Sequence, residues 1–194
     1  MARDSDIADR LRSFTSGGTV ALKLDSREYA DNYLAALGLT VRDLGGESNS
    51  HTIYVSVTNP ASLVWSLLQA LDIPSGRVSF VDAISHLMMS YQNALPNASY
   101  VESPTMLEGI MLRIEYLLRK HPNHRNMVIV DSVNSLAVHN TPDVLSEFFP
   151  ILVNNLKTRA VLTVLFSTTD GEGSELDRIL SLVVDESFTL GGGP

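Results

Sequence analysis

Cysteine is absent from the 194 residues. Disulfides, thiolate metal sites and cysteine nucleophiles are excluded together, and the usage suits a reducing compartment. Positive charge is also scarce: 14 Lys and Arg stand against 22 Asp and Glu, giving a net charge of −8. Such a chain lacks the general electrostatic attraction that draws proteins to nucleic acid or anionic lipid. Its basic residues gather only at Arg119-Lys120 and Arg125, so neither nucleic acid nor membrane is expected as a partner. No apolar run approaches the roughly 18–20 residues of a membrane span. The opening MARDSDIADRLRSF carries charge throughout, unlike a secretory signal, so a cytoplasmic protein is expected. Asn97-Ala98-Ser99 matches a glycosylation sequon; in a chain without a secretory signal it is read as chance.

What is present is enough apolar material for a full core, 44% of residues, with 19% charged. A single domain over 1–194 is expected, with an N-terminal helix and loop over 1–18 and a tail over 191–194. Short apolar runs alternate with amphipathic stretches. Ile7, Leu11 and Phe14 mark a first helix, broken at Ser16-Gly17-Gly18. TVALKL (19–24), TIYVSV (52–57), 77–82, 127–131, 160–166 and 183–190 read as strands. Helices are expected over 27–37, 61–71, from Pro104 to about 118, over 142–156 and over 174–181. Asp25 or Ser26 is the expected N-cap of the second helix. The strands are continuous apolar runs rather than alternating ones. That pattern predicts an α/β fold in three layers, a mainly parallel sheet flanked by helices. In such a sheet ligands bind beyond the carboxyl ends of the strands.

The strand MVIVDS ends on Asp131 and Ser132, as a metal-side strand of a nucleotide site does. A phosphate loop should accompany it, following the first strand. It needs glycines whose backbone N–H groups converge on phosphate, a lysine, and a Ser or Thr for Mg²⁺. The sequence there is LKLDSREYADNYL, without a glycine. Lys23 falls inside the strand, and Lys120 and Lys157 are far along the chain. Asp25, Glu28 and Asp31 place negative charge where a triphosphate would sit. Other constellations are weaker. His121 and His124 have metal-ligand spacing but are expected to form a solvated turn around Pro122. Asp82, Asp131 and Asp185 could gather on one rim of the sheet, and Asp25, Asp82 and Asp131 could hold a hard cation. Ser132 and Ser167 lack a glycine-flanked elbow. Met88, Met89 and Trp65 are expected in the core, and the acidic residues of the last third on a solvated face.

Taken in order, TVALKL, IYVSVTNPASLVWSLLQALDI, RVSFVDAIS, YVESPTMLEGIMLRIEYLL, NMVIVDSVNSL and AVLTVLFSTTDGEGSELDRILSLVVDESFTL resemble a RecA-superfamily domain of the archaeal KaiC-like type, over roughly 19–190. The resemblance implies a P-loop ATPase fold in which NMVIVDSVNSL is the Walker B strand. It also implies departures. LDSREYADN stands where the Walker A loop belongs, and Thr58 and Asn59 stand where one or two catalytic glutamates are usual. One loss removes phosphate binding and the other water activation. The expectation is therefore a non-catalytic regulatory or interaction domain, with no catalytic residue, no metal and no cofactor. Asp25, Ser26, Asp131 and Ser132 remain as vestigial nucleotide-site residues. Its partner would be a protein, either a second copy or an active KaiC-like relative. The alternatives are residual ATP–Mg²⁺ binding or weak ATPase activity through Asp131, and a metal-dependent enzyme on the same framework.

Overall fold

The structure, a computed structural model, describes residues 4–14, 17–88, 94–171 and 173–191. Seven strands form one sheet: β1 (Gly18–Leu24), β2 (Ser50–Ser56), β3 (Val78–Asp82), β4 (Ala98–Tyr100), β5 (Arg125–Asp131), β6 (Leu162–Thr168) and β7 (Glu186–Leu190). Their order is β4-β3-β2-β5-β6-β1-β7, and every pairing is parallel. The three-layer α/β expectation holds.

One face carries α1 (Asp4–Arg12), α2 (Tyr29–Leu37) and α3 (Ala61–Ala70); their Leu11, Leu37 and Leu68 pack on Tyr54, Phe80 and Phe166. The other carries α4 (Leu107–Lys120), α5 (Val133–His139), α6 (Pro142–Lys157) and α7 (Glu175–Ser181), whose Ile114, Leu136, Phe149 and Ile179 pack on Ile53, Val128 and Leu165. Each central strand thus feeds both cores in turn. All seven residues of β2 are buried, which is why it reads as a continuous apolar run.

Several boundaries depart from expectation. α2 does not stop at Gly38: that glycine keeps helical angles, and a π-helical segment runs on to Leu44. The true stop is Gly45, where a Cβ would meet the Val41 carbonyl oxygen at 2.6 Å. Pro104 is not in the first turn of α4. Ser103 and Thr105 bond each other's hydroxyls in a turn, and the helix opens at Leu107, leaving Met106 exposed. β6 begins at Leu162, because Ala160 takes a positive φ of 55° as the chain leaves α6. β7 begins at Glu186; Val183 and Val184 close the turn after α7 instead. β4 and α5 were not anticipated. The first has only three half-buried residues, and the second follows β5 with Ser132 alone between. Met88 is half exposed rather than core. Met89, Ser16, Glu172 and 192–194 lie outside the described residues. No helix among the described residues is long and apolar enough to cross a membrane.

Candidate functional site

Chain order reverses between β2 and β5. The chain leaves β2 toward β3 on one side and β5 toward β6 on the other, so the two strands diverge at their carboxyl ends. In open parallel sheets such a switch point is where ligands gather. Ser56 ends β2 there, in register with Asp131 at the end of β5 and with Asp82 at the end of β3.

Asp131 is fully buried. Its side chain lies on the α2 face of the sheet. Oδ2 accepts hydrogen bonds from the Tyr54 hydroxyl at 2.6 Å and the Tyr33 hydroxyl at 2.8 Å, and the two hydroxyls lie 3.0 Å apart. Oδ1 is buried with no hydrogen-bond partner among the described residues. Burial pushes the Asp131 carboxyl above its usual range, and the hydroxyls of Tyr54 and Tyr33 pull it part of the way back. Burial likewise raises the Tyr33 and Tyr54 phenols, helped by the carboxylate beside them, so both stay protonated as donors.

Beside this pair lies a knot of hydroxyls. Thr58 Oγ1 donates to Ser132 Oγ at 3.2 Å and lies 2.7 Å from Ser135 Oγ. Ser132 Oγ accepts from the Ser135 N–H, capping α5. The N–H groups of Val57 and Thr58 both donate to the Asp131 carbonyl oxygen, at 2.7 and 3.0 Å. Asn134 Oδ1 accepts from the Thr168 N–H at 3.0 Å, which ties α5 to the end of β6.

Asp25 and Ser26 sit two strands away, at the end of β1. Asp25 caps its own turn: Oδ1 accepts from the Arg27 N–H at 3.0 Å, and Oδ2 from Arg27 Nη2 at 2.5 Å. These bonds to Arg27 draw the Asp25 carboxyl down to about 2, so it is ionised at neutral pH. Ser26 Oγ donates to Asp170, and Lys23 Nζ donates to Asp177 Oδ1 at 2.7 Å. The four residues singled out in the sequence therefore form two separate sets on one rim, Asp131 with Ser132 and Asp25 with Ser26.

The cation-site readings fare differently. Both Asp82 oxygens are engaged, Oδ1 by the N–H groups of Ile84 and Ser85, Oδ2 by the Ala61 N–H and the Ser85 hydroxyl. Asp185 is on the opposite rim. It precedes β7 rather than ending a strand, and it accepts from the Thr19 N–H and from Lys157. Asp25, Asp82 and Asp131 thus serve three different local bonding sets. Among the described residues there is no group of three or more His, Asp or Glu that could hold a metal ion. Ser167 Oγ is buried without a hydrogen-bond partner among the described residues. Trp65 packs edge-on against Phe80 at 6.3 Å, as expected of a core side chain.

His121 departs from the solvated-turn reading. Its ring stacks 3.6 Å from that of buried His51, with His124 edge-on to both. The sequence did signal His51: in HTIYVS it shares the alternation of Ile53 and so points into the α4 side. Tyr33 and Tyr54 were also missed as site residues, since each reads in isolation as an ordinary core aromatic.

No protein-family model matches the chain, and no curated protein does. Solved structures do. A KaiC-like protein, PH0186, of the hyperthermophilic archaeon Pyrococcus horikoshii OT3 superposes with a TM-score of 0.62 at 14% identity, over 90% of this chain and 72% of its own. PH0250 of the same organism superposes with a TM-score of 0.63 at 8% identity, over 95% of this chain and 87% of its own. The chain shares the fold of these two structures, one of them a KaiC-like protein.

Proposed function

We propose that this KaiC-like fold serves as a regulatory or protein-interaction domain and does not hydrolyse nucleotide. The observation that carries the reading is the Asp131 carboxylate. In the resemblance it should face a Mg²⁺–phosphate; here it is sealed beneath α2, with Oδ2 held by Tyr33 and Tyr54.

The end of β1 supports the same reading. The Arg27 N–H, which a phosphate loop would turn toward ligand, donates to Asp25. Lys23 is engaged by Asp177. The ionised Asp25, partly offset by its partner Arg27, disfavours a phosphate charge beside it. Thr58 and Asn59 offer no carboxylate to activate water, and the Thr58 hydroxyl is bonded to Ser132 and Ser135. The partner in this reading is a protein, a second copy or a KaiC-like relative. Val144 and Ile151 on α6, Leu112 on α4 and Leu182 after α7 are exposed apolar side chains that suit contact.

One observation favours a second reading, residual ATP–Mg²⁺ binding: Asp131 Oδ1 is buried with no partner among the described residues, as a ligand-holding oxygen is before its ligand arrives. Calorimetric titration with ATP and Mg²⁺ separates the two. The interaction reading expects no binding tighter than about 100 μM. Tighter binding that disappears in Asp131→Ala would overturn it. Light scattering of the purified chain then decides between self-association and docking on another protein.

A further inference from the structure

Away from the carboxyl rim, a half-open cavity of about 320 Å³ lies between the amino halves of β3 and β4 and the last turn of α4. Its size falls in the range of small-molecule sites. Its lining is mostly polar, and no aspartate or glutamate contributes to it. That composition is unexpected in a chain of net charge −8. Lys120 supplies a full positive charge. Its ammonium lies 4.6 Å from the centre of the Tyr116 ring, and it forms no ion pair with a described carboxylate. Ser79 and Ser99 supply hydroxyls and His121 an imidazole. Asn97 frames the rim, its amide committed to the Val78 carbonyl at 2.7 Å. The carbonyl end of α4 contributes about half a negative charge at most, which Lys120 outweighs.

The histidines extend this lining inward. Ser79 Oγ lies 3.1 Å from His51 Nε2, and the His51 ring stacks on His121. The charged or titratable groups facing the two imidazoles are Lys120 from α4, His124 from the turn, and each other. Every one of them opposes a proton on these rings. Burial and these neighbours pull His51 down to about 4 and His121 below its usual range. An oxyanion in the cavity reverses that balance, because it is the one negative charge the imidazoles would meet.

We propose that this cavity binds a small oxyanion, such as the phosphate of a small-molecule ester, held by Lys120, Ser79, Ser99 and His121, and that binding draws a proton onto the stacked His51–His121 pair. The site lies opposite the rim discussed above and is independent of whether that rim binds nucleotide.

Sulfate is the probe, because its charge does not change over the relevant pH range, with chloride at matched ionic strength as the control. Calorimetry in buffers of different ionisation enthalpy should show saturable binding with proton uptake. Affinity should rise as pH falls from about 8 to 6, by at most about tenfold per pH unit for one proton. Lys120 is exposed at a helix end, so Lys120→Ala should fold normally and weaken sulfate at least tenfold, while Lys120→Arg should retain it. The imidazole resonances of His51 and His121 should titrate at higher pH with sulfate present. Glycerol phosphate binding tighter than sulfate would identify a phosphate ester as the ligand class, and equal binding a free oxyanion. No saturable binding at about 10 mM sulfate, or binding indifferent both to Lys120→Ala and to pH, overturns the proposal.

Discussion

The Tyr33 hydroxyl, carried on α2, donates at 2.8 Å to Asp131 at the end of β5, 98 residues further along the chain. The bond joins a helix to the strand beneath it and covers the one strand-end carboxylate that has an unpartnered oxygen among the described residues. Its consequences can be measured.

The ionised Asp131 should cost stability at neutral pH. Its folded pKa is raised above the unfolded value, so the folded state holds the proton more tightly. The favourable contribution is complete below the ordinary aspartate range and is lost as pH rises through the folded value. Asp131→Asn retains an acceptor for the two phenols and carries no charge. Its melting midpoint at pH 7 should rise by roughly 2–4 °C, equivalent to about 1 kcal/mol, and the gain should shrink on acidification. A fall at pH 7 would show that the carboxylate is stabilising.

Asp131→Ala should do the opposite. It strands two buried phenol hydroxyls and opens a small cavity, which together cost about 2–3 kcal/mol by urea unfolding.

Tyr33→Phe and Tyr54→Phe should each cost about 1–2 kcal/mol. The double variant should cost more than their sum, because the hydroxyls share one acceptor and losing both leaves the buried carboxylate without a donor. Strict additivity in a double-mutant cycle would mean that the three groups do not act as a unit.

His51 sets an acid limit. Its folded pKa, about 4, lies below the ordinary histidine value near 6.5, so the neutral ring is the folded form. Stability from this group is full above about pH 6.5 and falls as pH drops from there toward 4, by up to about 1.4 kcal/mol per pH unit. His121, shifted the same way, adds to the slope. Asp25 cannot mask it, because its lowered carboxyl takes up protons only nearer pH 2. His51→Gln keeps a polar group for Ser79 and should flatten the pH dependence of the urea midpoint between about pH 6.5 and 4.

Ser132→Ala removes the cap of α5 and should cost about 1 kcal/mol. Thr58→Val should cost a comparable amount, since it leaves the Ser132 and Ser135 hydroxyls without their shared neighbour. Hydrogen exchange of the α5 amides should quicken in both variants while the β2 amides stay protected.

Much of this was legible in the residues. Runs such as TIYVSV and MVIVD are apolar throughout because both faces of a central parallel strand are covered, and that forces the three-layer fold. Asp131 was found by its type and its place at a strand end. The missing glycines and the Asp25 charge were equally visible. Ser132 was singled out for its place beside Asp131, and its role as the cap of α5 emerged only with that helix.

The tertiary structure decided the rest, for the reason that sequence separation says nothing about which strands and helices become neighbours. Tyr33, Tyr54 and Asp131 meet only because β2 pairs with β5 and α2 lies over both. Asp185 could be placed on the wrong rim because an aspartate beside a strand looks the same before it as after it. His51 and His121 stack only because α4 ends where β2 begins. Composition and periodicity determined the architecture, whereas the pairing of distant elements decided which polar groups share a site.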